Sequence, residues 1–436
     1  MVSSATKRSA TGSASDGDSR VLAWGYTSLV LLLTIINWGD KAILGLAAQP
    51  MREEIGMTAS QLGLVGSAFF LAFTIGGFFA GVISKMMTLR WSMVVLSIVW
   101  AACMLPPVIS ATFVVLLVSR LVLGLAEGPS LALMSSGVYG WHPPAKRGLP
   151  AALMTGSMSL GKIIVAPVLT VVMVAYDWRA GFITLAIVGL IWCALWLLFW
   201  KDGPYSGEAR TSAADPDHDT RTVPWKALFT TGTFIGGACA ILPMHALSTL
   251  VLTWLPSYFE VGLGFSRVQA GLLFGIPSLA SLVLMLGSSA LGDKLLVRGA
   301  SSRVLRGVVP GLGLLICGLT LTVVPFVALP ALAVAVISVG YSFGTMTFPL
   351  FNAGTSEICP PKQMAGVLGV FLALMSIGGL VAPYLTGVIV DAAATPAAGF
   401  AIAFQVFGIA AAIGGVVSLL LVNPVRDAAR VRAALR

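Results

Sequence analysis

The chain has 436 residues, of which 57% are hydrophobic and only 10% charged. A soluble domain carries roughly a quarter charged residues, so this composition excludes a water-soluble enzyme or binding module. The formal charge of +9 does not point to nucleic acid, because the basic residues sit in short stretches between apolar runs, where they orient a membrane protein.

The first residues, 1–20, are rich in Ser, Ala and Thr and read as a disordered cytoplasmic tail. Crossing a bilayer takes about 20 apolar residues. Twelve segments meet that length: 21–47, 61–84, 91–110, 112–138, 149–175, 180–200, 228–258, 268–292, 304–325, 328–352, 363–390 and 398–422. A polar stretch, 201–227, separates the sixth from the seventh and reads as a cytoplasmic linker. The expected domains are a six-helix half over 21–200, a second over 228–422, and a cytoplasmic tail over 423–436.

Lys and Arg set the orientation. Arg20, Lys85, Arg90, Lys146, Arg147, Lys201, Lys226, Lys294, Arg298, Lys362 and Arg426 fall on one side, and Arg52, Arg179 and Arg267 on the other. The asymmetry places both termini in the cytoplasm of a multi-pass protein of the cell membrane. Cys103, Cys193, Cys239, Cys317 and Cys359 form no CxxC pair. No metal and no cofactor is expected.

The halves repeat. Gly56-Met57-Thr58-Ala59-Ser60-Gln61 opens the second segment and Gly264-Phe265-Ser266-Arg267-Val268-Gln269 the eighth, at an offset of 208 residues. Each carries a hydroxyl residue and a Gln three positions on, the pattern of a capping box. His142-Pro143-Pro144 and Ala166-Pro167 have counterparts in Cys359-Pro360-Pro361 and Ala382-Pro383. Two like halves predict a site between them near the membrane midplane.

Charge inside the spans is the informative signal. Each ionisable group near a helix centre costs about 2.5–3.5 kcal/mol. Asp40, Lys41, Arg120, Glu127 and Lys162 therefore need partners or a wet cavity. Arg120 and Glu127 lie two turns apart, so they share one helix face about 10 Å apart. Lys162 is open to three readings: snorkelling, a private ion pair, or contact with a ligand in the site between the halves. His245 follows Pro243 in the seventh segment, and its packing and functional readings weigh equally.

These features resemble the major facilitator superfamily across essentially the whole chain. Ser289-Ala290-Leu291-Gly292-Asp293-Lys294 is similar to its loop signature; Gly81-Val82-Ile83-Ser84-Lys85-Met86 matches the first-half copy, with Lys85 where Asp is usual. A narrower resemblance is to the anion:cation symporter branch, carried by Ile36-Asn37-Trp38-Gly39-Asp40-Lys41, by Arg120 through Pro129, and by Thr253-Trp254-Leu255-Pro256-Ser257-Tyr258.

The resemblance implies an all-α membrane protein in the twelve-helix major facilitator fold. It implies a monomeric secondary transporter, not an enzyme, that takes up a small organic anion with protons by alternating access. Lys41 and Arg120 are then expected to bind the anion, Asp40 and Glu127 to carry the proton, and Asp293, Lys294 and Arg298 to act in gating. Trp38, Phe73, Met158, His245 and Ser376 are expected to line the substrate site. Structural alternatives stand beside these roles: Arg120 as a brace between helices, and Asp40 with Lys41 as an internal pair. Sugar-acid members carry Tyr, Gln and Asn where this chain has Phe73, Met158, Leu372 and Ser376. That departure favours an aromatic or otherwise apolar carboxylate. A sugar-acid symporter, an exporter or drug antiporter, and a non-transporting sensor remain as alternatives.

Overall fold

The computed structural model describes residues 13–143, 146–206 and 222–433. Parts of the expected tails and linker (1–12, 207–221 and 434–436) lie outside them. Among the described residues twelve helices are long and apolar enough to cross a membrane. They are α1 (Arg20–Leu46), α2 (Ala59–Gly77), α3 (Leu89–Ile109), α4 (Phe113–Trp141), α5 (Gly148–Ala175) and α6 (Trp178–Phe199) in the first half. The second half holds α7 (Gly232–Gly262), α8 (Arg267–Val297), α9 (Val304–Phe326), α10 (Pro330–Glu357), α11 (Pro361–Ala392) and α12 (Pro396–Leu421). No strand is present among the described residues.

Both capping boxes form. The Thr58 hydroxyl accepts from Gln61 N while Gln61 Oε1 accepts from Thr58 N, and Ser266 and Gln269 repeat the pattern. Each box follows a left-handed glycine, Gly56 at φ 72° and Gly264 at φ 75°. Such a backbone strains any residue with a Cβ, so glycine is the residue that lets the chain turn sharply into α2 and α8. The internal repeat read from the sequence is thus a repeat of backbone conformation.

One expectation changes, and two segments gain detail. The first helix begins at Ser13, ahead of the span, so it takes in part of the stretch read as a disordered tail. The stretch after α12 holds a further helix, Pro424–Ala433, whose buried Asp427 accepts from Thr233 N and Oγ1, each at 2.7 Å, at the start of α7. Burial alone would raise the Asp427 carboxyl, but the Arg426 guanidinium and the Thr233 donors outweigh it and hold it below the usual carboxylate range. The described end of the linker is also fixed: Val223 N donates to Gln363 Oε1 at 2.9 Å, and Gln363 Nε2 donates back to Val223 O at 2.8 Å.

Among the described residues, every hydrogen bond between the halves lies toward the end of the bundle away from the termini. Asp391 on α11 accepts from Ala59 N at 2.8 Å and Ser60 N at 2.7 Å on α2. Tyr384 N donates to Ser67 Oγ at 3.1 Å. Glycines let the backbones approach there. Gly63 faces the Pro383 and Tyr384 backbone, Gly387 faces Ala59 and Ser60, and Gly45 faces the carbonyls of Leu252 and Thr253. Small residues at such crossings replace side-chain packing with backbone contact. Asp293, Lys294 and Arg298, at the opposite end of α8, are exposed and join no ion pair among the described residues. The expected gate charges are therefore not drawn into a latch in this conformation.

Candidate functional site

Asp40 and Lys41 are consecutive on α1, and consecutive helical residues point about 100° apart. They do not pair with each other. Lys41 forms an ion pair with Glu127, and Arg120 Nη1 lies 3.7 Å from Asp40 Oδ1. Two neighbours on α1 thus engage two residues a double turn apart on α4. Arg120 does bridge helices, since its Nη1 also reaches the Asp40 carbonyl at 3.5 Å. The internal Asp40–Lys41 pair does not form.

All four groups are buried: Glu127 is 0% exposed, Arg120 3%, Asp40 6% and Lys41 8%. Charges this dry need both partners and hydrogen bonds. Lys41 Nζ also donates to Asn37 Oδ1 at 2.5 Å, an i,i+4 contact along α1. Aromatic rings enclose the same ammonium, with centroids at 5.2 Å for Phe73, 5.6 Å for Trp38 and 5.7 Å for Phe69. The Arg120 guanidinium sits 5.4 Å from the Phe182 ring on α6. At such distances ring faces attract a desolvated cation by about 2 kcal/mol. The cluster keeps unused hydrogen-bonding capacity: Asn37 Nδ2, Asp40 Oδ1, Arg120 Nη2 and Glu127 Oε1 have no hydrogen-bond partner.

Beneath Asp40, inside the first half, a cavity of about 20 Å³ is lined by Asn37, Asp40, Ser97 and Trp100 among apolar neighbours. Ser97 Oγ and Trp100 Nε1 also lack partners. The four groups offer two N–H donors and two oxygen acceptors, the complement of one water molecule, and the volume suffices for one.

Lys162 lies in a wide π turn, Gly161–Val165, within α5. Pro167 follows and has no N–H to return to residue 163, which favours a departure from α geometry at this point. Lys162 is 9% exposed. Its ammonium sits 5.6 Å from the Trp38 ring and 5.8 Å from the Tyr341 ring. Trp38 belongs to the first half and Tyr341, on α10, to the second. Among the described residues no carboxylate pairs with Lys162, so the private ion pair does not form there, and its ammonium, without a hydrogen-bond partner, keeps access to solvent beside Trp38 and Tyr341.

His245 also stands between the halves, its ring 6.4 Å from Phe70 on α2 and 6.2 Å from Phe348 on α10. Met158 and Ser376 are half-buried. The described contacts bring neither to the charge cluster, and the Ser376 hydroxyl donates within its own helix to Leu372 O at 3.0 Å. Among the described residues no cluster of His, Cys, Asp and Glu could hold a metal. Sequence reasoning gave no role to Asn37 or Tyr341. The i,i+4 spacing to Lys41 could have flagged Asn37; nothing in the sequence pairs Tyr341 with Lys162.

Comparison with known proteins bears on this arrangement. The Major Facilitator Superfamily profile matches residues 30–383. The chain is 26% identical to the hexuronate transporter of Bacillus subtilis, over 91% of this chain and 94% of that protein. It is 28% identical to the probable sulfoacetate transporter of Cupriavidus necator, over 91% and 93% respectively. It is 25% identical to the D-galactonate transporter of Escherichia coli O6:H1, over 92% and 96%. Among solved structures, a D-xylose-proton symporter superposes with a TM-score of 0.75 at 17% identity, covering 92% of this chain and 98% of that one. A likeness at that identity concerns the fold.

Proposed function

Because the chain belongs to the Major Facilitator Superfamily, we propose that it is a secondary active transporter of the cell membrane that imports a small organic anion together with protons by alternating access. The observation that carries this reading is the Lys41–Glu127 ion pair, buried and ringed by Trp38, Phe69 and Phe73. An arriving carboxylate or sulfonate can take over the Lys41 ammonium. Glu127, relieved of its cation in a dry site, then takes a proton. The proton that enters with the anion offsets negative charge carried inward. Asp40 and Arg120 form the second, adjoining acid–base pair and work in the same sense.

With both termini in the cytoplasm, the end sealed by Asp391, Gly63 and Gly387 is external. The conformation is then the one that exchanges cargo with the cytoplasm. Asp293, Lys294 and Arg298 close the cytoplasmic end in the opposite state. The π turn at Lys162 and the ring of His245 stand where both halves meet a bound substrate, with Met158 and Ser376 further along the path. A single chain supplies every one of these groups, so a monomer suffices.

The names of the relatives, hexuronate, galactonate and sulfoacetate transporters, support an organic anion. The aromatic walls around Lys41 and the inward-turned Ser376 hydroxyl favour a cargo poor in hydroxyl groups, since each unpaired hydroxyl costs about 1–3 kcal/mol. Two of those names, hexuronate and galactonate, favour a sugar acid as the second reading. Uptake into proteoliposomes decides between them. An imposed inward proton gradient should drive accumulation of benzoate-like acids above that of galactonate. Accumulation of galactonate alone would install the second reading, and accumulation independent of the gradient would remove proton coupling.

A further inference from the structure

Three cations and two carboxylates occupy the buried site. Lys41 and Arg120 each face a carboxylate, and Lys162 faces none among the described residues. The Lys162 side chain is largely covered, but among the described residues its ammonium has no hydrogen-bond partner and keeps access to solvent, so it is a cation held only by two rings and open to an incoming anion. Its position is specific. The wide turn of α5 carries it, Trp38 from one half and Tyr341 from the other flank it, and the Trp38 ring is shared. Lys41 Nζ and Lys162 Nζ each lie 5.6 Å from the centroid of that one indole. The two ammoniums are therefore no further apart than twice that distance.

We propose that Lys162 and Lys41 form a two-point anion site across Trp38, and that the preferred cargo is a compact organic dianion with a few carbons between its anionic groups. The proposal rests on the proton-coupled anion reading above and names the substrate class within it. Formal charge supports it. With one proton on Glu127 the five groups sum to two positive charges, and a dianion cancels both. A monoanion leaves one charge uncompensated in a low-dielectric site during closure. Reach supports it as well. An anionic oxygen sits about 2.8 Å from an ammonium nitrogen, so within that upper bound two groups placed between the lysines are separated by a body of only a few carbons. Lys162 touches neither Asp40 nor Glu127, so its part is to choose the cargo and not to carry the proton.

The test is binding to the full-length purified protein at pH 6, followed by isothermal titration calorimetry, with matched acids: succinate against butyrate, and sulfoacetate against acetate. The wild type should bind each dianion at least tenfold tighter than its monoanion. Lys162→Met should weaken succinate at least tenfold more than butyrate, and Lys162→Arg should recover most of the difference. A thermal melt of each variant reports folding independently of binding. Equal affinity of the wild type for both members of a pair would overturn the dianion site, as would a Lys162→Met protein that keeps the wild-type ratio. Should Lys162→Met fail to fold, the wild-type ratios and Lys162→Arg still decide. If the wild type neither binds any of the four acids nor accumulates any under a proton gradient, the anion-carrier reading falls with it. Proton-driven uptake of butyrate and succinate at equal affinity sinks the present proposal alone.

Discussion

Lys41 and Glu127 meet as a buried ion pair on helices α1 and α4, whose other pair, Asp40 and Arg120, lies alongside. Removing one partner of a buried pair costs about 3–5 kcal/mol, whereas replacing both with apolar groups is often neutral. Lys41→Met and Glu127→Leu should therefore each lower the thermal midpoint of the detergent-solubilised protein. The double variant should recover most of the loss. A double variant whose loss equals the sum of the singles would show that the two groups do not depend on each other.

Glu127→Gln separates binding from coupling. The amide keeps a polar partner for Lys41 but cannot carry a proton. Anion binding should persist without the proton uptake that accompanies it in the wild type. Exchange of internal for external substrate should continue, and gradient-driven accumulation should disappear. Undiminished accumulation by this variant would assign the proton to another group.

Asp391 holds the far end of the bundle through two backbone donors of α2. Hydrogen bonds to a charged group contribute about 1.5–3 kcal/mol each. Asp391→Asn should shift the population toward the state open at that end. Spin labels on the exposed ends of α2 and α11 should report a longer mean distance. Gly387→Ala should do the same by another route, since its Cβ would fall against the backbone of Ala59 and Ser60. Unchanged distances in both variants would deny this contact a role in closure.

Glu54, on the connection between α1 and α2, has its carboxyl pulled down to about 2 by hydrogen bonds from Arg179 and then from the Trp178 indole. The unfolded chain carries it near the ordinary value of about 4.3. A depressed acid stabilises the fold fully above its unfolded value and loses that contribution as pH falls toward the folded one. The gap in thermal midpoint between wild type and Glu54→Gln should be constant from pH 5 to 8 and should close between about pH 4 and 2. A gap that widens on acidification would contradict the assignment.

The sequence is a good guide where one element settles the matter by itself. Apolar length marks every spanning helix, and Thr58 with Gln61 announces the start of α2 as plainly as Ser266 with Gln269 announces α8. The charged residues are legible because hydrocarbon makes them conspicuous. Their partners are not. Whether Lys41 meets Asp40 or Glu127 depends on how α1 is rotated against α4, and periodicity does not fix rotation. Nothing in the sequence singles out Asp391, because its partners Ala59 and Ser60 come from α2 in the other half. Lys162 can be singled out from sequence, but its ring partners come from α1 and α10, and only assembly of the halves brings them together.

The wide turn at Gly161–Val165 is, in effect, a one-residue insertion that α5 has absorbed without losing its length. Reversing it is a single genetic event. Deleting Ile164 would return the segment to regular α geometry and leave the turns on either side of it in their present orientation. Thr170 would keep its seat against Gly271 on α8, while the widened backbone that carries Lys162 beside Trp38 would be lost. The wide turn thus lets the position of the spare cation change without disturbing the packing of the two halves.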